Sequence, residues 1–217
     1  MARRVYAVGV GPGSPEYVTA KVAGLIRKAT VVAGFQHSLK AVADLTRGKK
    51  VIPIPYKDQE ATYRHIRDDL RSDDICVFTA TGDPMFSDSE YLERLSRNFG
   101  IIEIIPGISS IQVAAAKANI PLEDIVLITF HVSGDIEEKK RKLLEAVRGG
   151  ERVILLPRPW DFMPNEIARW LIINGVDGEK QCIIFEFLTL SNEKVTKSSL
   201  KDLMGLTFSD LSVMVMK

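Results

Sequence analysis

No apolar run in this chain approaches the ~20 residues a membrane-spanning helix needs, so no membrane partner is expected. Cysteine is scarce: Cys76 and Cys182 lie far apart, each inside an apolar run, and read as buried free thiols in a reducing cytoplasm rather than a disulfide. Charge of one sign is not in excess either. Lys+Arg number 29 against 28 Asp+Glu, a net +1, which argues against a dedicated nucleic-acid binder. His37, His65 and His131 share no metal-ligand spacing, and neither His-Glu-x-x-His nor Cys-x-x-Cys occurs, so no metal is expected. Without Gly-x-Ser-x-Gly there is no nucleophile elbow, and no Ser-His-Asp order can be argued. Low-complexity tracts and repeats of about 20 to 50 residues are also missing. Met1-Ala2-Arg3-Arg4 runs straight into a β-like segment with no signal-peptide cleavage site after it, so a cytoplasmic protein is expected.

What is present is an ordinary foldable composition, 46% hydrophobic and 26% charged over 217 residues, enough to bury a core without disulfide or metal staples. Short β-rich runs alternate with helical patterns. Strands are predicted at Val5–Val10, Thr30–Ala33, Lys50–Ile54, Ile75–Ala80, Ile101–Ile105, Ile125–His131, Arg152–Leu156, Gln181–Phe187 and Leu211–Met216. Tyr63, Ile66 and Leu70 fall on one helical face, as do Tyr91, Leu92 and Leu95, and Ile167, Ala168, Leu171 and Ile172. The alternation implies α/β architecture with largely parallel sheets. The breaker Ala118-Asn119-Ile120-Pro121-Leu122-Glu123-Asp124 predicts two α/β domains, residues 1–120 and 121–217. A second breaker, Pro157-Arg158-Pro159-Trp160, follows a strand directly, where open α/β sheets place ligands.

Three loops could carry chemistry. Gly9-Val10-Gly11-Pro12-Gly13-Ser14 follows the first strand. It fits the dinucleotide fingerprint poorly, because position 14 is Ser and the second strand ends Ala33-Gly34-Phe35 with no acid for a ribose. No Gly-Lys-Ser/Thr follows to make a P-loop. A tight turn accounts for it, and so does a loop that lets a ligand approach the backbone. Thr79-Ala80-Thr81-Gly82-Asp83-Pro84-Met85-Phe86 puts a carboxylate at a strand's end, suited to a ligand hydroxyl or ammonium or to an Asx turn. Pro106-Gly107-Ile108-Ser109-Ser110 supplies hydroxyls at a helix start, which cap the helix or hold a polar ligand.

Taken in order, these loops resemble the class III tetrapyrrole-methylase family of S-adenosylmethionine-dependent methyltransferases. Val8-Gly9-Val10-Gly11-Pro12-Gly13-Ser14-Pro15-Glu16-Tyr17-Val18-Thr19, Gly82-Asp83-Pro84 and Pro106-Gly107-Ile108-Ser109-Ser110 are similar to its three signatures. Val31-Val32-Ala33-Gly34-Phe35-Gln36-His37, and Ser109 to Ala116 followed by Ile120 to Asp124, most resemble the branch that methylates C5 of cobalt-precorrin-7 in cobalamin biosynthesis. That branch's Ser-Leu-His-Gly-Arg is here Thr129-Phe130-His131-Val132-Ser133, and its Glu-Asn-Leu-Gly is Glu186-Phe187-Leu188-Thr189. The resemblance implies two α/β domains with the cofactor in the cleft between them, usually as a homodimer. It implies cofactor contacts at Pro12, Thr81, Gly82, Asp83, Phe86, Ser109 and Ser110, with Leu156 and Pro157 from the second domain. The acceptor it implies is a polycarboxylate macrocycle, for which Arg47, Lys49, Lys50, Lys117 and Arg158 are candidate ligands. His131 and His37 are candidate proton shuttles; otherwise no catalytic residue is assigned. A separate C15-methylating, decarboxylating enzyme is a possible partner. Other readings are a relative acting on another precorrin, uroporphyrinogen, ribosomal RNA or a protein, a non-catalytic adenosyl-ligand sensor, and a dinucleotide oxidoreductase.

Overall fold

The computed structural model describes residues 4–217; the Met1-Ala2-Arg3 stretch considered above lies outside them. The chain divides into two compact units, one up to Ser109 and the other Ser110–Lys217. The division falls one helix before the Pro121 breaker.

The first unit's sheet holds β1 (Arg4–Gly9), β2 (Val31–Gly34), β3 (Lys50–Pro53), β4 (Ile75–Ala80) and β5 (Glu103–Ile105), in the order β3-β2-β4-β1-β5. Every pairing in it is parallel. Four helices cover it: α1 (Ala20–Lys28), α2 (Gln36–Ala41), α3 (Gln59–Asp69) and α4 (Ser89–Phe99). Strand alternation divides the core. Val5, Ala7, Cys76 and Phe78 pack with Tyr63 and Ile66 of α3 and Leu95 of α4, while Val8, Val32 and Val77 pack with Val22 and Ile26 of α1. A strand buried on both faces reads as a continuous apolar run, which is why β4 was visible as Ile-Cys-Val-Phe.

The second unit opens with α5 (Ser110–Ala118), followed by β6 (Ile125–Thr129), α6 (Glu137–Arg148), β7 (Arg152–Leu156), α7 (Pro164–Ile173), β8 (Gln181–Glu186), β9 (Lys194–Ser199), α8 (Leu200–Leu203) and β10 (Ser212–Met216). Helix α5 packs against β10 and β7, which is why it belongs here. The sheet order is β6-β7-β10-β8-β9. Here the expectation of largely parallel sheets fails. Only β6 and β7 pair in parallel; β10 lies antiparallel to β7 and β8, and β9 antiparallel to β8. Between β8 and β9 lie only residues 187–193, too short a connection for a parallel crossover. Strand β9 was not foreseen. Cys76 and Cys182 are free and buried, and burial pushes both thiols up to about 12. No helix of the described residues is long and apolar enough to cross a membrane.

Candidate functional site

The sheet order places the three glycine-bearing loops side by side. β1 lies between β4 and β5, all three run the same way, and each loop leaves a carboxyl end. That is the edge where parallel sheets bind ligands.

The loops touch through glycine. A Cβ on Gly9 would lie 2.6 Å from Gly107 N and collide with Gly82 O. A Cβ on Gly107 would lie 2.6 Å from Gly9 O and collide with the same Gly82 O. Only hydrogen side chains allow three backbones to meet so closely. Gly11 and Gly82 also exchange hydrogen bonds, Gly82 N donating to Gly11 O at 2.7 Å and Gly11 N to Gly82 O at 3.4 Å. Both residues have positive φ, 81° and 73°. A Cβ at Gly11 would additionally meet Tyr17 Cβ at 2.8 Å. Downstream, Ser14 caps a short 3-10 turn at Pro15–Tyr17 and Thr19 caps α1, which fixes where the loop ends.

On this frame Pro12 is buried, Ser109 nearly so, Asp83 and Phe86 half-buried and Thr81 exposed. Asp83 does form an Asx turn, its Oδ1 accepting from Met85 N at 2.9 Å. That bond also fixes the carboxylate's direction. A buried hydroxyl pair links α2 and β4: Ser38 Oγ lies 2.8 Å from Thr79 Oγ1. Gly34 leaves room for it, since a Cβ there would meet Ser38 Oγ at 2.9 Å and collide with Thr79 Oγ1. The pair and Gly34 were legible only as a small residue ending a strand.

Asp88, just before α4, was not foreseen. Burial, followed by the nearby charge of Asp83, raises its carboxyl to about 7, and its side chain makes no capping bond to the helix. A second acid five positions after Asp83 was the available signal.

The remaining candidates separate. His37 is exposed in the first turn of α2, at the carboxyl end of β2. His65 is exposed on α3, with Nε2 3.6 Å from Asp69 Oδ2. In the second unit, Leu156 ends β7 and Pro157 follows it, while Ser110 opens α5. His131 follows β6, its ring 6.0 Å from that of exposed Trp160. The basic residues considered for acceptor carboxylates already have partners. Arg47 pairs with Asp44, Lys50 with Asp69 and Lys117 with Glu193, at 2.7, 2.9 and 2.7 Å. Lys49 Nζ donates to the carbonyls of Arg27 and Ala29. Arg158 is bidentate to Asp161 and donates to Gly134 O at 2.8 Å, tying the loop after β7 to the loop after β6.

The model of the family described as Tetrapyrrole (Corrin/Porphyrin) Methylases matches residues 4–204. A probable cobalt-precorrin-7 C(5)-methyltransferase of Methanocaldococcus jannaschii is 35% identical over 212 residues, 97% of this chain and 96% of that protein. Among solved structures, the methyltransferase CobJ superposes with a TM-score of 0.79 at 21% identity, covering 99% of this chain and 94% of that one. A uroporphyrin-III C-methyl transferase from Thermus thermophilus, complexed with S-adenyl homocysteine, gives 0.75 at 20% identity, covering 98% and 91%.

Proposed function

Since the chain belongs to the tetrapyrrole methylase family, we propose that it transfers a methyl group from S-adenosylmethionine to C5 of a cobalt-precorrin in cobalamin biosynthesis. The observation that carries this reading is the glycine-tight meeting of the three signature loops at one sheet edge, with a half-buried carboxylate held beside them. A relative of 35% identity along nearly its whole length supports the acceptor.

The residues present fit the cofactor. Gly9, Gly82 and Gly107 let the three loops close on one another and hold Asp83 and Ser109 on adjoining turns. The Asp83 carboxylate opposes a positive charge, and Thr81 and Ser109 offer hydroxyls to polar groups. Pro12 and Phe86 supply apolar contact; Ser110, Leu156 and Pro157 are assigned to the cofactor on the family resemblance. When bound, S-adenosylmethionine supplies a methyl on an electron-poor sulfonium. The chain's own task is then positioning. Alignment of reacting atoms is worth about 7–11 kcal/mol in favourable cases, so no acid–base dyad is required of these loops. His131 and His37 are the candidates for moving a ring proton. We further assign the enzyme to the cytoplasm, as a homodimer that works beside a separate C15-methylating enzyme.

Isothermal titration calorimetry with S-adenosylhomocysteine, and NAD as control, tests the cofactor. Micromolar binding without an NAD signal is expected. Asp83→Ala should weaken that binding more than tenfold, about 1.4 kcal/mol. Unchanged affinity would reduce Asp83 to a turn residue.

A further inference from the structure

The loop after β7 carries an exposed tryptophan to which the function above gives no task. Among the described residues only two Phe, Tyr or Trp residues are exposed, Tyr56 at 77% and Trp160 at 59%. Each stands on a loop leaving the carboxyl end of a strand, Tyr56 after β3 and Trp160 after β7. That is the end where α/β sheets hold their ligands. Their surroundings differ in charge. Tyr56 borders an open groove in which Asp58, Glu60, Glu90 and Glu93 outnumber Arg94 and Arg97, a lining that repels carboxylates. Beside Trp160 are His131 and Arg158, the latter paired with Asp161.

Contacts on both loops set where this side chain lies. Arg158 and Phe162 exchange backbone hydrogen bonds, Arg158 N donating to Phe162 O at 3.1 Å and Phe162 N to Arg158 O at 3.0 Å. Residues 159–161 are thereby closed into a short loop with Trp160 at its tip. The base is anchored in the core, where the Phe162 ring meets those of Phe130 and Trp170 edge-on at 4.9 and 6.2 Å. At the tip the Arg158 guanidinium stands over the indole, 5.6 Å from its centroid. The His131 ring lies 6.0 Å away on the loop after β6, tilted by 47°. β6 and β7 pair in parallel, so both loops rise from the same edge, and Arg158 joins them through Gly134 O. The indole thus leans toward the loop after β6 and is still more than half exposed. It is an apolar surface left in water and locked in one pose, so a flat ligand would bind it with little ordering cost.

We propose that Trp160 is the second unit's binding face for the acceptor, a flat tetrapyrrole polycarboxylate that stacks on the indole, a proposal that rests on the methyltransferase reading. The indole takes the ring system, and the His131 imidazole beside it meets a carboxylate at the macrocycle's rim. Arg158 is then a positioning residue rather than an acceptor ligand, since its bonds to Asp161 and to Gly134 O hold the loop that presents Trp160.

Steady-state kinetics with enzymatically prepared cobalt-precorrin-7, and calorimetry with S-adenosylhomocysteine, test this. Because Trp160 is exposed, Trp160→Ala should stay within about 3 °C of the wild type in Tm. Its KM for the acceptor should rise about tenfold, while its Kd for S-adenosylhomocysteine stays within about twofold. Trp160→Phe keeps a ring and should hold KM within about threefold of the wild type; Trp160→Leu, apolar without a ring, should behave as Trp160→Ala does. An unchanged KM in Trp160→Ala overturns the proposal, as does a Trp160→Leu variant that matches Trp160→Phe. Weaker cofactor binding overturns it by moving Trp160 to the cofactor's side, and a changed sedimentation coefficient by making the indole a contact between copies of the chain. A larger fall in Tm overturns it too, because the indole would then serve the fold. If the wild-type protein binds S-adenosylhomocysteine yet methylates no corrinoid, the methyltransferase reading itself fails and the acceptor proposal falls with it.

Discussion

Asp88 carries a charge-dependent cost at the residue scale. Burial and the Asp83 charge raise its carboxyl to about 7 in the folded protein, against about 3.9 in an unfolded chain. Between those values the unfolded chain releases the proton and the folded one keeps it. Stability from this group is therefore full below about pH 4 and is lost as pH rises through about 7. Asparagine resembles the protonated acid and removes the dependence. Asp88→Asn should match the wild type in Tm near pH 4 and exceed it at pH 8; parallel Tm curves across that range would remove Asp88 as a source of pH sensitivity. The basic residues teach a related lesson. Arg158 stands in the sequence as a candidate ligand for acceptor carboxylates, and in the fold its guanidinium is bonded to Asp161 and the Gly134 carbonyl. Sequence shows where a charge is, and only the fold shows what already neutralises it.

Elements β1, β4 and β5 bring the candidate loops together because glycine ends or follows each of them. Gly107→Ala pushes a methyl into the Gly9 and Gly82 backbones, which cannot yield as a flexible side chain would. Overpacking of this kind costs about 1–3 kcal/mol. Both a lower Tm and weaker S-adenosylhomocysteine binding are expected by differential scanning fluorimetry and calorimetry; a variant unchanged in both would show that the three loops part readily. The strands around this site were legible because apolar residues fill them: Val5–Val10 and Ile75–Ala80 were located to within a residue. Strand β9 was not, since Lys-Val-Thr-Lys-Ser-Ser at a sheet edge alternates no apolar face, as edge strands that discourage pairing often do not. Losing β9 also hid the short β8–β9 connection, and with it the antiparallel character of the second sheet. The candidate loops were found by their glycines and their order, whereas the positive φ of Phe187 and Thr189, 52° and 71°, is a dihedral feature that residue types alone do not reveal.

At the scale of the whole molecule, a ligand that binds only folded protein adds stability by mass action. S-adenosylhomocysteine at 100 times its Kd contributes about 2.7 kcal/mol. For a chain of this size that corresponds to a Tm rise of about 5–10 °C, which NAD should not reproduce. Equal shifts from both would return the first loop to the dinucleotide reading.

The two sheets also differ in when they can be finished. The first is complete in sequence by Ile105, whereas β10, at Ser212–Met216, is the strand that joins β7 to β8. A ribosome adding about 5–20 residues per second reaches Met216 roughly 5–20 s after Ile105. From their own completion until β10 is added, β7 and β8 each present an open edge at what becomes the middle of their sheet. Synthesis thus delivers a closed first sheet well before the second can close, and a nascent chain stalled short of Ser212 exposes two open strand edges to chaperones and proteases.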